Sequence, residues 1–234
     1  MNELDKLFKT FSEEKGFEST LLKYRIRTIL PFVQGPSILD VGCGVGSLCR
    51  ALAKQVETVI GLDGSSTKIS RAREINKAPN VSFVCDLFEN WSHSGKFQTI
   101  TASGILEHIP NTHSFLKHCL DILSLDGRLI VVVPNALGLH KRIGKYMRLI
   151  DNFYTLTKAD TAKGHYHVFD RKQLEKEISL AGFQIVHSGG ILLKPLSSQQ
   201  MESWDPKIVE ALYEIGKELP DFCSSLIVVA KRID

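Results

Sequence analysis

Ten residues constrain this chain more than any others: Ile38-Leu39-Asp40-Val41-Gly42-Cys43-Gly44-Val45-Gly46-Ser47. The short apolar run from Ser37 to Val41 reads as a buried strand arriving at a sharp turn. Glycines at alternate positions (Gly42, Gly44, Gly46) lead into a helical pattern from Ser47. Glycine has no Cβ, so it adopts positive φ and lets the backbone approach a ligand closely. The helix that follows presents unpaired N–H groups and a positive dipole end to whatever lies in the turn. Seventeen residues after Gly46, a second run, Thr58 to Leu62, ends in Asp63. A carboxylate at that strand tip is placed to accept hydrogen bonds from two ribose hydroxyls. The pattern describes a nucleoside-binding crevice at the carboxyl edge of a parallel sheet.

A dinucleotide fingerprint would be G-x-G-x-x-G, with room for a pyrophosphate at the helix start. Here Ser47 follows Gly46, so the spacing is G-x-G-x-G, and Asp40 stands where it would repel a pyrophosphate. The cationic amino group of an aminoacyl-nucleoside suits that charge better. Leu39 to Gly46 resembles the first motif of the class I S-adenosylmethionine (SAM) dependent methyltransferases, small-molecule type, in the ubiquinone-biosynthesis-like, type 11/12 group. The resemblance covers about residues 37–135, and the C-terminal third by element order alone. It implies an α/β, doubly wound, Rossmann-like sheet of seven strands, mostly parallel with an antiparallel last strand. It also implies SAM as cofactor and S-adenosylhomocysteine (SAH) as product. The residues expected to hold them are Asp40, Gly42, Cys43, Gly44, Gly46, Asp63, Gly64, Asp86, Leu87, Ser103 and Leu106.

Apolar spacing supports the alternation of strand and helix that such a sheet requires. Residues 1–34 predict a helical cap, with Leu4, Leu7, Phe8 and Phe11 and then Leu22, Ile26, Ile29 and Leu30 at helical spacing. From residue 35 to 234 a single domain is expected. Its strands are Ser37–Val41, Thr58–Asp63, Val81–Cys85, Phe97–Ser103, Arg128–Val133 after an Asp126-Gly127 turn, Phe183–Ser188 and Ser225–Lys231. Ser65, Asp170 and Asp205-Pro206 are helix-start signals, and Gly182 is a stop. Residues 136–169 lack strand character and read as an insert over the carboxyl edge of the sheet.

The 234 residues, 43% hydrophobic and 24% charged, suit an ordinary globular chain with a sizeable core. No apolar run approaches the ~18 residues of a membrane span, and Met1 to Lys15 lacks the apolar region of a signal peptide. Five scattered cysteines without a C-x-x-C imply reduced thiols, a cytoplasmic setting and no zinc site. The net charge of +3 hides an asymmetry. From Ala136 to Lys176 there are nine Lys/Arg against four Asp/Glu, leaving 20 against 22 in the remainder. A basic insert on a faintly acidic body points to a local anion site or a solvated loop, and argues against a nucleic-acid coat.

Several residues invite chemistry. Asp86 lies where the family faces the adenine, to accept from its amino group with the Leu87 N–H beside it; its alternative is a helix cap. Ser103 to Pro110 resembles a segment of the ubiquinone-biosynthesis O-methyltransferases in which Glu-x-x-Glu-His supports a metal. Gly104 replaces the first acid, so no metal is expected, and Glu107 and His108 read as scaffolding ahead of catalysis. The insert holds three of the eight histidines and three of the five tyrosines. His165 or His167 is the expected proton acceptor, with His167 preferred because it lies nearer the helix that anchors the loop. Strand alternation would send both to one side. Lys141, Arg142, Lys145 and Arg148 favour a phosphate or carboxylate on the acceptor, and Lys194-Pro195 reads as a turn. The expectation is methyl transfer to O or N of a small or medium-sized acceptor. The competing readings are an RNA methyltransferase and a non-catalytic SAM-binding protein.

Overall fold

In the computed structural model, which describes residues 16–233, helix α1 (Gly16–Ile29) leads into β1 (Ser37–Val41), α2 (Ser47–Leu52) and β2 (Thr58–Asp63). Then come α3 (Ser66–Ile75), β3 (Val81–Cys85), β4 (Phe97–Ser103), α4 (Thr112–Ile122) and β5 (Leu123–Pro134). The remainder is α5 (Leu139–Tyr146), α6 (Lys158–Ala162), α7 (Arg171–Leu180), β6 (Phe183–Leu193), α8 (Ser198–Met201), α9 (Pro206–Glu218) and β7 (Cys223–Arg232). The strands form one sheet in the order β3-β2-β1-β4-β5-β7-β6. All pairs are parallel except β5–β7 and β7–β6. This is the doubly wound, seven-stranded sheet expected, with its last strand inserted antiparallel.

Burial on both faces explains why the central strands read as unbroken apolar runs. In β1, Ile38 packs on one face, while Leu39 and Val41 pack on the other. In β5, Leu129, Val131 and Val133 alternate with Ile130 and Val132 in the same way. The face of Leu39, Val41 and Leu129 is covered by α4 and α7 through Phe115, Leu116, Leu174 and Ile178. The face of Ile38, Ile130 and Val132 is covered by α1, α2, α3 and α9. Helix α1 docks through Tyr24, which stacks on Tyr213 at 4.6 Å and donates to Glu210 at 2.9 Å. The expected apolar positions Leu4, Leu7, Phe8 and Phe11 lie outside the described residues.

Two expectations change. Asp126-Gly127 is not a turn before β5: the strand starts at Leu123, and a bulge lies between the pairs Phe97–Leu123 and Thr99–Arg128. Gly127 permits the tight bulge, since a Cβ there would lie 2.8 Å from the Leu123 side chain and 3.0 Å from the Phe97 carbonyl. Strand β6 continues past Ser188 to Leu193, with Gly189 and Gly190 paired to Ile227 and Leu226. A Cβ on Gly190 would be 2.6 Å from the Pro220 carbonyl, so this glycine marks close backbone approach, not a strand end. The insert, finally, carries α5 and α6 and is closed at its base by a bridge between Asn135 and Phe169.

Asp170 anchors the insert to α7. Its carboxylate accepts from the Gln173 N–H at 2.8 Å in a full capping box, and from the Tyr154 hydroxyl at 2.6 Å. Asp170→Ala is expected to cost about 1–2 kcal/mol, seen as a lower urea midpoint with an unchanged m-value.

Candidate active site

A crevice of about 980 Å³ opens at the carboxyl ends of β1, β2 and β4. Its floor is the glycine turn, held to β2 by the Gly42 and Cys43 N–H groups, which both donate to the Leu62 carbonyl at 2.8 and 3.1 Å. Asp63 completes the clamp: one oxygen accepts from the Gly44 N–H at 2.9 Å and the other from the Ser65 N–H at 2.8 Å. Gly44 has φ +58°, and a Cβ there would meet nothing within 4 Å, so the turn faces open space. Gly46 does not line the crevice. At φ +78° it caps α2, and a Cβ would lie 2.6 Å from the Phe83 ring.

Asp40 sits beneath the turn, buried, and borders a side cavity of about 30 Å³ with Arg25, Ser47 and Ser103. Its oxygens accept from the Thr101 hydroxyl at 2.7 Å and the Cys49 thiol at 3.2 Å. The hydrogen bond with Cys43, and then burial, hold the Cys49 thiol well above its usual pKa, so it remains a donor. Cys43, Gly64, Asp86, Leu87 and Ser103 all line the crevice. The Leu87 N–H, expected to be offered to the adenine, donates here to Asp86 Oδ1 at 2.8 Å. Leu106 faces the core instead: it is fully buried among the apolar side chains between sheet and helices.

The histidines separate. His165 lines the crevice with only 8% of its side chain exposed, and its Nδ1 lies 3.3 Å from Asp160 Oδ1. His108 lies edge-on to it, ring centroids 4.7 Å apart, with Nδ1 3.2 Å from the Gly164 carbonyl. His167, the preferred residue, is not in the crevice wall; its Nε2 is 3.0 Å from the Ile109 carbonyl and 3.3 Å from that of Pro110. The expected alternation fails because the segment is not a strand. The Tyr166 and His167 N–H groups both donate to the Glu107 carbonyl, at 2.8 and 3.3 Å, which an extended backbone with alternating amides does not allow.

Glu107, His108 and His165 offer ligand atoms within 4.8 Å of one another, a trio able to hold a cation. At the position of the missing acid, however, a Cβ on Gly104 would face Arg25 Nη1 at 3.4 Å and Glu107 Oε1 at 3.8 Å. A guanidinium stands where a second carboxylate would project.

Sequence reading missed Glu18, Arg25, Lys68, His140, Asp160 and Lys194, all in the crevice wall. Asp160 had a legible signal, the T-x-x-D capping pattern. Its Oδ2 accepts from the Thr157 N–H at 2.9 Å, while the Thr157 hydroxyl accepts from the Asp160 N–H at 3.1 Å. Burial pushes the Asp160 carboxyl up, but hydrogen bonds from His165 and Thr157 outweigh it and hold it below the usual carboxylate range. Of the four basic residues expected to meet the acceptor, only Lys141 lines the crevice. Arg142 donates to the Leu137 carbonyl at 2.8 Å and stacks on Phe222, and Lys145 donates to the Asp151 carbonyl at 2.5 Å. A two-turn helix turns only one face to the crevice.

Sheet order and a glycine-floored crevice with an acid on the second strand define the class I methyltransferase architecture. A family model described as a methyltransferase domain matches residues 14–188, and the chain belongs to that family. It is 28% identical over 187 residues, 76% of this chain and 70% of the relative, to a ubiquinone biosynthesis O-methyltransferase of Chelativorans sp. (strain BNC1). Against the enzyme of that name from Actinobacillus pleuropneumoniae serotype 5b (strain L20) it is 34% identical over 109 residues, 43% of this chain and 47% of the relative. A SAM-dependent methyltransferase structure from Mesorhizobium loti has a TM-score of 0.66 at 20% identity, covering 93% of this chain and 100% of that one. An N-methyltransferase of Bradyrhizobium japonicum WM9 in complex with SAH has a TM-score of 0.63 at 12% identity, covering 99% and 97%.

Burial, first of all, lowers the pKa of His108 and of His140 to about 4, with neighbouring charge adding to it. Both rings are neutral when folded, whereas unfolded histidine titrates near 6.5. The unfolded chain therefore binds more protons as the pH falls below about 6.5, and stability declines until the folded rings also protonate near 4. Each ring is expected to remove on the order of 2–4 kcal/mol over that interval. Urea midpoints from pH 7 to pH 4.5 should fall, and His108→Gln should flatten the decline.

Proposed function

We propose that this chain transfers a methyl group from SAM to an oxygen or nitrogen of a small or medium-sized, anionic acceptor, with His165 as the proton acceptor. The observation that carries this reading is that the Asp160–His165 pair opens on the same crevice as Gly44 and Asp63. SAM, when bound, supplies an electrophilic methyl carbon on a sulfonium, open to in-line attack. Asp63 would accept from the ribose hydroxyls with the lone pairs not engaged by the Gly44 and Ser65 N–H groups. Gly44 leaves room for close backbone approach, and Asp86 stands beside the adenine. Asp40 carries the charge that suits the amino group. The rest of the task is alignment, which residues 136–169 serve by covering the acceptor.

Asp160 orients His165. A carboxylate at Nδ1 holds the proton there and leaves the Nε2 lone pair to take one from an acceptor hydroxyl or amine. His108 is neutral beside it, so no imidazolium repels the incoming proton. The convergence of Glu107, His108 and His165 supports a second reading, in which they hold a divalent cation. The Arg25 guanidinium beside Gly104 favours the first.

Asp63→Ala is expected to weaken SAM binding by roughly 2–3 kcal/mol, measured by calorimetry; unchanged affinity in a folded variant would remove this assignment. Gly44→Val should weaken it further, because the side chain occupies the cofactor's space. His165→Ala should lower turnover by ~10²–10⁴ while SAM affinity stays nearly constant, whereas His167→Ala should leave turnover near wild type. Activity should survive EDTA. Loss with EDTA, restored by magnesium, selects the cation reading.

A further inference from the structure

One wall of the crevice has no role in the chemistry above. It is built where β6 runs past α5, and its centre is Lys194. This lysine is only 9% exposed, yet it lines the crevice. An ammonium has three N–H donors. One of them reaches the Ser198 hydroxyl at 3.0 Å, and that hydroxyl in turn donates to Glu18 at 2.7 Å. Burying a charge is costly unless it is paired. Burial accordingly lowers the Lys194 pKa, the Glu18 carboxylate opposes that, and Lys163 adds to it.

The neighbours sharpen the picture. The His140 N–H donates to the Lys194 carbonyl at 3.0 Å, which ties α5 to β6 and sets His140 and Lys141 beside Lys194 in the wall. The His140 ring is kept neutral by burial and then by the charges of Lys194 and Lys141. Its Nδ1 is buried without a hydrogen-bond partner among the described residues. Lys141, one residue further along α5, stands in the same wall as Lys194, and Glu18 reaches Lys194 through the Ser198 hydroxyl. Two ammonium groups in one concave wall attract an anion at that spot.

We propose that Lys194, assisted by Lys141, binds the anionic group of the methyl acceptor, a carboxylate or a phosphate, and so fixes how the acceptor lies in the crevice. This rests on the methyltransferase reading above. Lys194 is then the specificity-determining residue. Ser198 and Glu18 position its ammonium, and Lys141 adds charge at the rim.

The test uses the full chain saturated with SAH, titrated calorimetrically with inorganic phosphate and, separately, with benzoate. At least one should bind, and which one does distinguishes the two anion chemistries. Lys194→Met should weaken that binding about 10–100-fold, the worth of one charge-assisted contact. Lys141→Ala should weaken it less, and SAH affinity should not change in either variant. Equal anion affinity in Lys194→Met, or no binding of either anion to the wild type, overturns the proposal. If Lys194→Met no longer binds SAH, the wild type decides through reductive methylation read by peptide mass. The bound anion should slow labelling of Lys194 and not of exposed Lys231, and absence of protection overturns the proposal. Failure of the wild type to bind SAH would count against the methyltransferase reading instead, and the same anion titration on the cofactor-free protein would still judge the wall.

Discussion

The Asp63 carboxylate holds the site together before any ligand arrives. Its two oxygens take the Gly44 and Ser65 N–H groups, joining the turn after β1 to the start of α3. Those amides would otherwise be partly buried donors without partners, a cost of about 1–3 kcal/mol each. One side chain thus shapes the glycine turn and presents a carboxylate edge to the crevice. Its substitution would disturb both, so a loss of SAM affinity in Asp63→Ala reads as the joint effect.

The roof depends on a second backbone clamp. The Glu107 carbonyl receives two successive amides of the insert, and the Gly164 carbonyl faces the His108 ring. With the Asn135–Phe169 bridge at its base and Asp170 capping α7, the insert is fastened at both ends. That geometry presses His108 against His165, and burial keeps the His108 ring neutral. A neutral His108 places no imidazolium charge beside His165, so the packing of the insert also serves the chemistry proposed there.

Charge follows the same logic. The basic residues conspicuous in the insert mostly serve packing: Arg142 covers Phe222 and Lys145 ties its own loop. Of the four expected to meet the acceptor, Lys141 alone lines the crevice, and Lys194 beside it comes from another part of the chain. Counting charge along a segment measures its solubility and its average field. Which charges meet a ligand depends on the faces that helices turn inward.

Local chemistry determined most of the architecture. The strand boundaries of β1 to β4, the caps at Ser65, Asp170 and Asp205, and the glycine turn with Asp63 are written in apolar spacing and in residues with narrow backbone preferences. Such signals act within a few residues, so a linear chain displays them. Gly127 misled, because glycine marks close approach in a bulge as readily as it marks a turn. Tertiary structure alone decided which histidine enters the crevice, that Leu106 belongs to the core, and that Arg25 and Lys194 reach the site. Each of those outcomes is set by pairing between segments far apart in sequence. His165 meets Glu107 and His108 across more than fifty residues, and Lys194 meets Glu18 through Ser198 across more than 170. Periodicity reports which face is apolar, and only packing reports what that face touches.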